Sequence, residues 1–217
     1  MTKRTKAAEK IDAMMERASE ALVKGRYFEC ERESVRALEL AHASRDWDRM
    51  ARILMPLEEA RRQKRLEAAD AGVIHRASDV EGLLGLDRIE PGCWLLEPML
   101  VAAHGREFRD RADEQETPVL VIVREPETQR KQWPLAAIGP VVVRTRVAPP
   151  DELSPEWFLA AAESLGEEAI ESVESDLDAE TRINRLMDRL GALRDHDELH
   201  QALAEACRDA LHESAAA

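Results

Sequence analysis

The chain has 217 residues, of which 44% are hydrophobic and 35% charged, a balance typical of a globular protein with an ample core. No apolar run approaches the roughly 18 residues that a membrane span requires, and the basic start of the sequence leads into no apolar signal-peptide core. Three cysteines are consistent with reduced thiols, so we expect a cytoplasmic protein and neither a membrane protein nor a secreted disulfide-rich domain.

Charge is distributed unevenly along the chain. Residues 1–71 carry a net charge of +2, residues 72–150 carry −2, and residues 151–217 carry −13. A block this acidic repels nucleic acid and anionic membranes, so neither is an expected partner. Two interpretations stay open: the acidic segment is a solvated helical surface, or it is a docking surface for a basic partner.

Residues 1–71 are predicted to be helical. Apolar residues recur at three- and four-residue spacing from Ile11 to Leu22, which predicts one helix. A second helix is predicted from about Arg26 to Ala43, and a third begins after Asp46, a suitable N-cap. Pro56 lacks a backbone donor, so it predicts a kink or a restart within the third helix.

A glycine, an aromatic and a small residue in this helical segment stand at the spacing of the tetratricopeptide repeat: Gly25, Phe28 and Ala37. The stretch from about residue 17 to 66 therefore resembles that family, although Ala21, Lys24, Ala41 and Arg49 replace its usual residues. The resemblance implies an antiparallel helical hairpin, closely packed at the glycine, that binds a protein partner. The alternative is a generic helical bundle with a glycine in a turn. Candidate partner-binding residues are Tyr27, Phe28 and Trp47.

Residues 72–150 are predicted to form a small α/β domain. The apolar runs Cys93–Leu96 and Val119–Val123 are of strand length, and a helical pattern from Met99 to Glu114 separates them. This order predicts a βαβ unit whose two strands are parallel. One or two further strands are predicted between residues 135 and 147, the last of them with one solvated face because charged residues alternate with apolar ones.

Residues 151–217 are predicted to form an acidic helical segment. Ser154 followed by Pro155 is a helix start signal, a second helix carries Ile183 to Leu193, and a third begins after Asp195. The expected fold class is therefore mixed α+β or α/β. It combines an N-terminal helical hairpin region, a small central sheet containing one βαβ unit, and the acidic helical segment.

Two histidines four residues apart, His196 and His200, could bind one metal ion from a single helix face. Metalloproteases place a glutamate directly after the first histidine, whereas here Asp197 stands in that position. His200 also shares an apolar stripe with Leu203 and Cys207. We therefore expect core histidines, with a metal site at His196 and His200 as a weaker alternative and no metal as the main expectation.

Charged residues follow both predicted parallel strands. Glu97 comes directly after one strand, and Arg124 and Glu125 come after the other. Ligands of open α/β sheets bind at the carboxyl ends of the strands, where carboxylates and an arginine could perform acid–base chemistry or bind a metal. The alternative is that charged residues merely face water where each strand stops.

No phosphate-binding glycine-rich loop and no serine nucleophile motif occurs in the sequence, and no cofactor is expected. The favoured function is a non-catalytic intracellular adaptor or scaffold that binds a protein partner through helical surfaces. The alternative is a small-molecule or metal-dependent enzyme with its site at Glu97, Arg124 and Glu125. The sequence does not indicate an oligomeric state.

Overall fold

A computed structural model describes residues 3–127 and 131–216 of the protein. These residues form eight helices and a five-stranded mixed sheet, which confirms the expected mixed α and β class. The helices are α1 (Lys3–Val23), α2 (Tyr27–Ala43), α3 (Trp47–Asp70), α4 (Val80–Leu84), α5 (Ala102–Glu114), α6 (Pro155–Glu171), α7 (Ala179–Ala192) and α8 (Asp197–Ala216). The strands are β1 (Ile74–Ala77), β2 (Gly92–Leu96), β3 (Val119–Arg124), β4 (Trp133–Ile138) and β5 (Val142–Val147).

The chain divides into two compact units that do not follow chain order. The first unit consists of Met1–Gln63, Val173–Met187 and Asp197–Ala217, and the second consists of Lys64–Ser172 and Asp188–His196. The acidic segment that the sequence suggests as one block is therefore divided, because α6 belongs to the second unit and α8 to the first.

Within the first unit, α1 and α2 form an antiparallel hairpin around small side chains. Ala18 and Ala21 of α1 pack with Cys30 of α2, and all three are buried. Gly25 lies in the connecting turn with φ of 68°, a conformation that favours glycine. A Cβ atom at Gly25 would meet nothing closer than the Tyr27 hydroxyl at 3.9 Å, so this glycine serves the turn and not close helix packing.

The start of α3 agrees with the sequence expectation. Asp46 caps the helix, because its carboxylate accepts a hydrogen bond from the Arg49 backbone N–H at 3.2 Å. The Arg49 side chain returns to Asp46 at 2.8 Å and also contacts Asp12 of α1 at 2.8 Å. The helix then continues through Pro56 as one element to Asp70.

The sheet of the second unit has the strand order β1-β2-β3-β4-β5. The first three strands are parallel, and β4 and β5 are added in antiparallel pairs. The predicted βαβ unit of β2, α5 and β3 is confirmed, and β1, α4 and β2 form another. The apolar run that predicts β3 belongs to the central strand, which is paired on both edges.

Helices cover the two faces of this sheet differently. On one face, Val123 of β3 lies in a buried cluster with Phe108 of α5. Val123 is paired with Ala136 of β4, which is paired with Arg144 of β5, so these two side chains lie on the same face. We call it the α5 face. On the other face, the α6 face, Trp133 of β4 packs edge-on against Trp157 of α6 with ring centroids 5.6 Å apart.

Candidate functional site

A cluster of charged side chains lies at the carboxyl ends of the parallel strands on the α6 face. The Glu97 carboxylate accepts hydrogen bonds from Arg76 at 2.8 Å and from Arg124 at 3.4 Å. The Arg124 guanidinium also lies 4.5 Å from the centroid of the Trp133 ring. We call Arg76, Glu97 and Arg124 the strand-end cluster.

Glu125 does not join this cluster, which corrects the expectation that three residues converge there. Successive side chains of an extended strand point to opposite faces of the sheet, so Glu125 lies on the α5 face while Arg124 lies on the α6 face. There the Arg144 Nε–H donates to both Glu125 carboxylate oxygens at 3.1 Å. The structure brings Glu97 and Arg124 together and places Glu125 in a separate ion pair.

The chemistry available to the strand-end cluster follows from its charges. Arg76 and Arg124 both contact the Glu97 carboxylate, and Arg124 also pairs with Glu127 at 3.3 Å. The hydrogen bond to Glu97 raises the pKa of Arg76. The cluster therefore offers ion pairing and holds the ends of the three parallel strands together.

The two histidines proposed as metal ligands are buried and hydrogen-bonded to other side chains. His196 precedes α8, and its Nε2 lies 3.1 Å from a Glu163 carboxylate oxygen. His200 is fully buried in α8, and the Arg61 Nη1–H donates to its Nε2 at 3.2 Å. Among the described residues no group of three or more His, Cys, Asp or Glu side chains could hold a metal ion.

Glycine at position 166 explains how the His196 ring fits into the second unit. A Cβ atom built there would lie 1.9 Å from the ring's Cδ2 atom. The helix α6 runs through Gly166 without a break. Position 166 requires glycine because the His196 imidazole ring packs directly on the helix backbone there.

A buried ionic network in the first unit is the site that sequence reasoning missed. Arg61 of α3 donates to the Glu31 carboxylate at 2.7 Å and to His200, and all three residues are at most 8% exposed. Arg61 belongs to a basic run that resembles a solvated surface. Arg61 follows the buried residues Leu54 and Leu57 by seven and four positions, so it lies on the same face of α3. This helical spacing could have predicted that Arg61 is buried.

The three candidate partner-binding aromatics occupy different environments. Trp47 is 8% exposed and packs near the His42 ring, so it belongs to the core of the first unit. Tyr27 is half-buried against the hairpin core, and Phe28 is also half-buried. Val23, the last residue of α1, is 88% exposed beside the same turn. We call Val23, Tyr27 and Phe28 the hairpin tip.

The cysteines are not placed for nucleophilic chemistry. All three are buried and free of disulfides. Burial raises the pKa of the Cys30 and Cys93 thiols to about 11 and that of Cys207 to about 12. Because the thiolate is the reactive species, these side chains act as small apolar residues.

Comparison with protein-family models, curated proteins and solved structures finds no significant match for the chain. Within the described residues no helix is long and apolar enough to cross a membrane. The fold and its side-chain contacts are therefore the basis of the proposed function. They define a mixed α and β protein with a helical unit, a sheet unit and extensive ion pairing.

Proposed function

We propose that the protein is a non-catalytic adaptor that binds a protein partner through the helical surface of its first unit. The observation that carries this proposal is the hairpin tip, where Val23 at the end of α1 is 88% exposed and Tyr27 and Phe28 at the start of α2 are half-buried. Apolar side chains that cluster on a surface within a polar rim are typical of protein interaction sites.

The rim of the hairpin tip supports this interpretation. Arg26 pairs with Glu29 at 2.8 Å, and Lys24 pairs with Glu20 at 3.2 Å, so charges near the apolar residues compensate each other locally. Because the charges of this rim are already paired, we expect the apolar side chains to supply most of the affinity for a partner. We therefore expect the partner to present an apolar side chain that packs between Val23 and Phe28.

The enzymatic alternative at Glu97, Arg124 and Glu125 has weaker support. Its two carboxylates lie on opposite faces of the sheet, and each is already paired with arginine. An acid–base pair acting on one substrate would need both carboxylates to reach the same reacting atoms. The adaptor proposal needs no such convergence.

The test is affinity capture with quantitative mass spectrometry, using wild-type protein and two variants. Val23→Glu places a charge at the hairpin tip without disturbing buried atoms, because the side chain is 88% exposed. Ala43→Glu, at the exposed far end of α2, is the matched control. A partner lost with Val23→Glu and retained with Ala43→Glu would support the proposal. Identical capture profiles for all three proteins would refute it.

A further inference from the structure

The free edge of β5 has a row of backbone groups that point away from the sheet. β5 is the last strand in the order and pairs only with β4 among the described residues. The Glu125 N–H donates to the Pro134 carbonyl at 2.8 Å, so the backbone of Pro134 points toward β3. Backbone direction alternates along an antiparallel strand. The groups that point away from β4 therefore belong to Val142, Arg144 and Arg146.

The side chains of these three edge residues lie on the part of the α5 face that α5 does not cover. Val142 is 45% exposed, the Arg144 side chain is 60% exposed, and Arg146 is exposed. By contrast, their neighbour Val143 points to the α6 face and is 5% exposed. The edge thus offers backbone donors and acceptors together with an accessible face.

An open groove of about 880 Å³ adjoins this edge, a volume within the range of roughly 300–1,000 Å³ that is typical of ligand clefts. Met99 and Val101 line it, together with Arg144 and Arg146 and the carboxylates of Glu125 and Glu168. Met99 is 83% exposed and its backbone has φ of 97°. Strained backbone of this kind concentrates at binding sites.

The charges of the side chains at the β5 edge indicate what kind of segment could bind there. Glu125 accepts hydrogen bonds from the Arg144 Nε–H, and the terminal guanidinium nitrogens of Arg144 donate to no other described residue. Arg146 has no ion-pair partner among the described residues. A second copy of the chain pairing edge to edge in the antiparallel sense would place these arginines beside their own copies, and like charges on neighbouring strands are destabilising. Carboxylates at the same positions would be attracted.

We propose that the β5 edge binds an extended acidic peptide, which adds to the sheet as a sixth strand. Its carboxylates occupy alternate positions opposite Arg144 and Arg146, and an apolar residue two positions further lies opposite Val142. Main-chain hydrogen bonds supply the general affinity of strand addition, and the side chains on the accessible face supply specificity. This site lies in the second unit and does not depend on the hairpin tip.

The experiment measures fluorescence anisotropy of labelled peptides titrated with the full chain. The sequence Glu-Thr-Glu-Thr-Val is used for antiparallel addition and Val-Thr-Glu-Thr-Glu for parallel addition. We expect one of them to bind and its Lys-for-Glu counterpart not to bind. Arg146→Glu should weaken binding by about tenfold or more, while Arg88→Glu, at an exposed arginine between α4 and β2, should leave it unchanged.

A backbone control separates strand addition from simple charge attraction. Methylation of alternate peptide nitrogens removes main-chain donors and retains every side chain, so it should abolish binding. Equal binding by the methylated peptide, binding by the Lys peptide, or no binding by either acidic peptide would overturn the proposal. It would also be overturned if sedimentation showed that β5 mediates a dimer of the chain, strengthened by Arg146→Glu.

Discussion

Two ionic clusters of similar geometry lie in very different surroundings. In the buried network of the first unit, Arg61 contacts Glu31 at 2.7 Å with both side chains at most 11% exposed. In the strand-end cluster of the second unit, Arg76 contacts Glu97 at 2.8 Å, and the arginine side chain is 59% exposed and the glutamate side chain 19% exposed. The distance between the charged atoms therefore says little about what an ion pair contributes to the free energy of unfolding. The cost of removing one partner depends on how much water can replace it.

The largest effect is expected from Arg61→Met. The substitution removes the cation that faces the buried Glu31 carboxylate and fills the space with an apolar side chain. Loss of one partner from a buried pair costs roughly 3–5 kcal/mol of unfolding free energy, which urea denaturation would measure. The double variant Glu31→Gln/Arg61→Met should recover part of that loss, because neither position of the buried ion pair then carries a charge. No recovery would mean that packing, and not charge, dominates at Arg61.

A second effect concerns the buried thiols. Burial raises the pKa of Cys30 and Cys93 to about 11 in the folded state, whereas an unfolded thiol ionises near 8.5. Between these pH values the folded protein binds more protons than the unfolded chain. The contribution of the thiols to the free energy of unfolding is therefore complete below about pH 8.5 and decreases as the pH rises toward 11. Urea midpoints at successive pH values would measure the fall.

The matched control for the thiol prediction is a variant with all three cysteines changed to Ala. Lysine and tyrosine titrate over the same pH range but are common to both proteins, so they cancel in the comparison. The variant should lose less stability than the wild type between pH 8.5 and 11. Parallel stability curves for the two proteins would contradict the assigned burial of the thiols.

A smaller effect is expected at Ala37, which is fully buried in α2. Ala37→Leu adds atoms where the helices of the first unit already meet, and overpacking of this kind costs about 1–3 kcal/mol. Glu39→Ala, two residues on and exposed, should be nearly silent. Thermal and urea unfolding of both variants would measure the difference. Equal effects would place Ala37 outside the packed core.

Much of the fold could be predicted because local patterns and tertiary structure agree. The helix start at Ser154 is an example: its side chain accepts from the Trp157 N–H at 3.3 Å, and Pro155 occupies the first helical position. The uninterrupted apolar run Val119–Val123 likewise predicts β3. In each case a few adjacent residues carry the whole signal.

The rest could not be predicted because it depends on residues distant in sequence. Arg61 is buried because Glu31 and His200, 30 and 139 residues away, supply its hydrogen bonds. Glu125 separates from Arg124 because strand alternation and the register with β4 bring Arg144 to it. A polar side chain becomes a core or site residue only through partners that a local pattern does not contain.

The smallest effect is expected from Glu97→Gln in the strand-end cluster. The amide oxygen of glutamine still accepts from Arg76, and Arg124 keeps its contacts with Glu127 and Trp133. Glu97 is 19% exposed but Arg76 is 59% exposed, so solvent screens part of the lost charge and the cost should be about 1 kcal/mol. Urea denaturation at low and high salt would measure it, and the small difference from wild type should shrink further as salt rises. A loss as large as that of Arg61→Met would show that exposure to solvent does not determine what an ion pair contributes to stability in these two clusters.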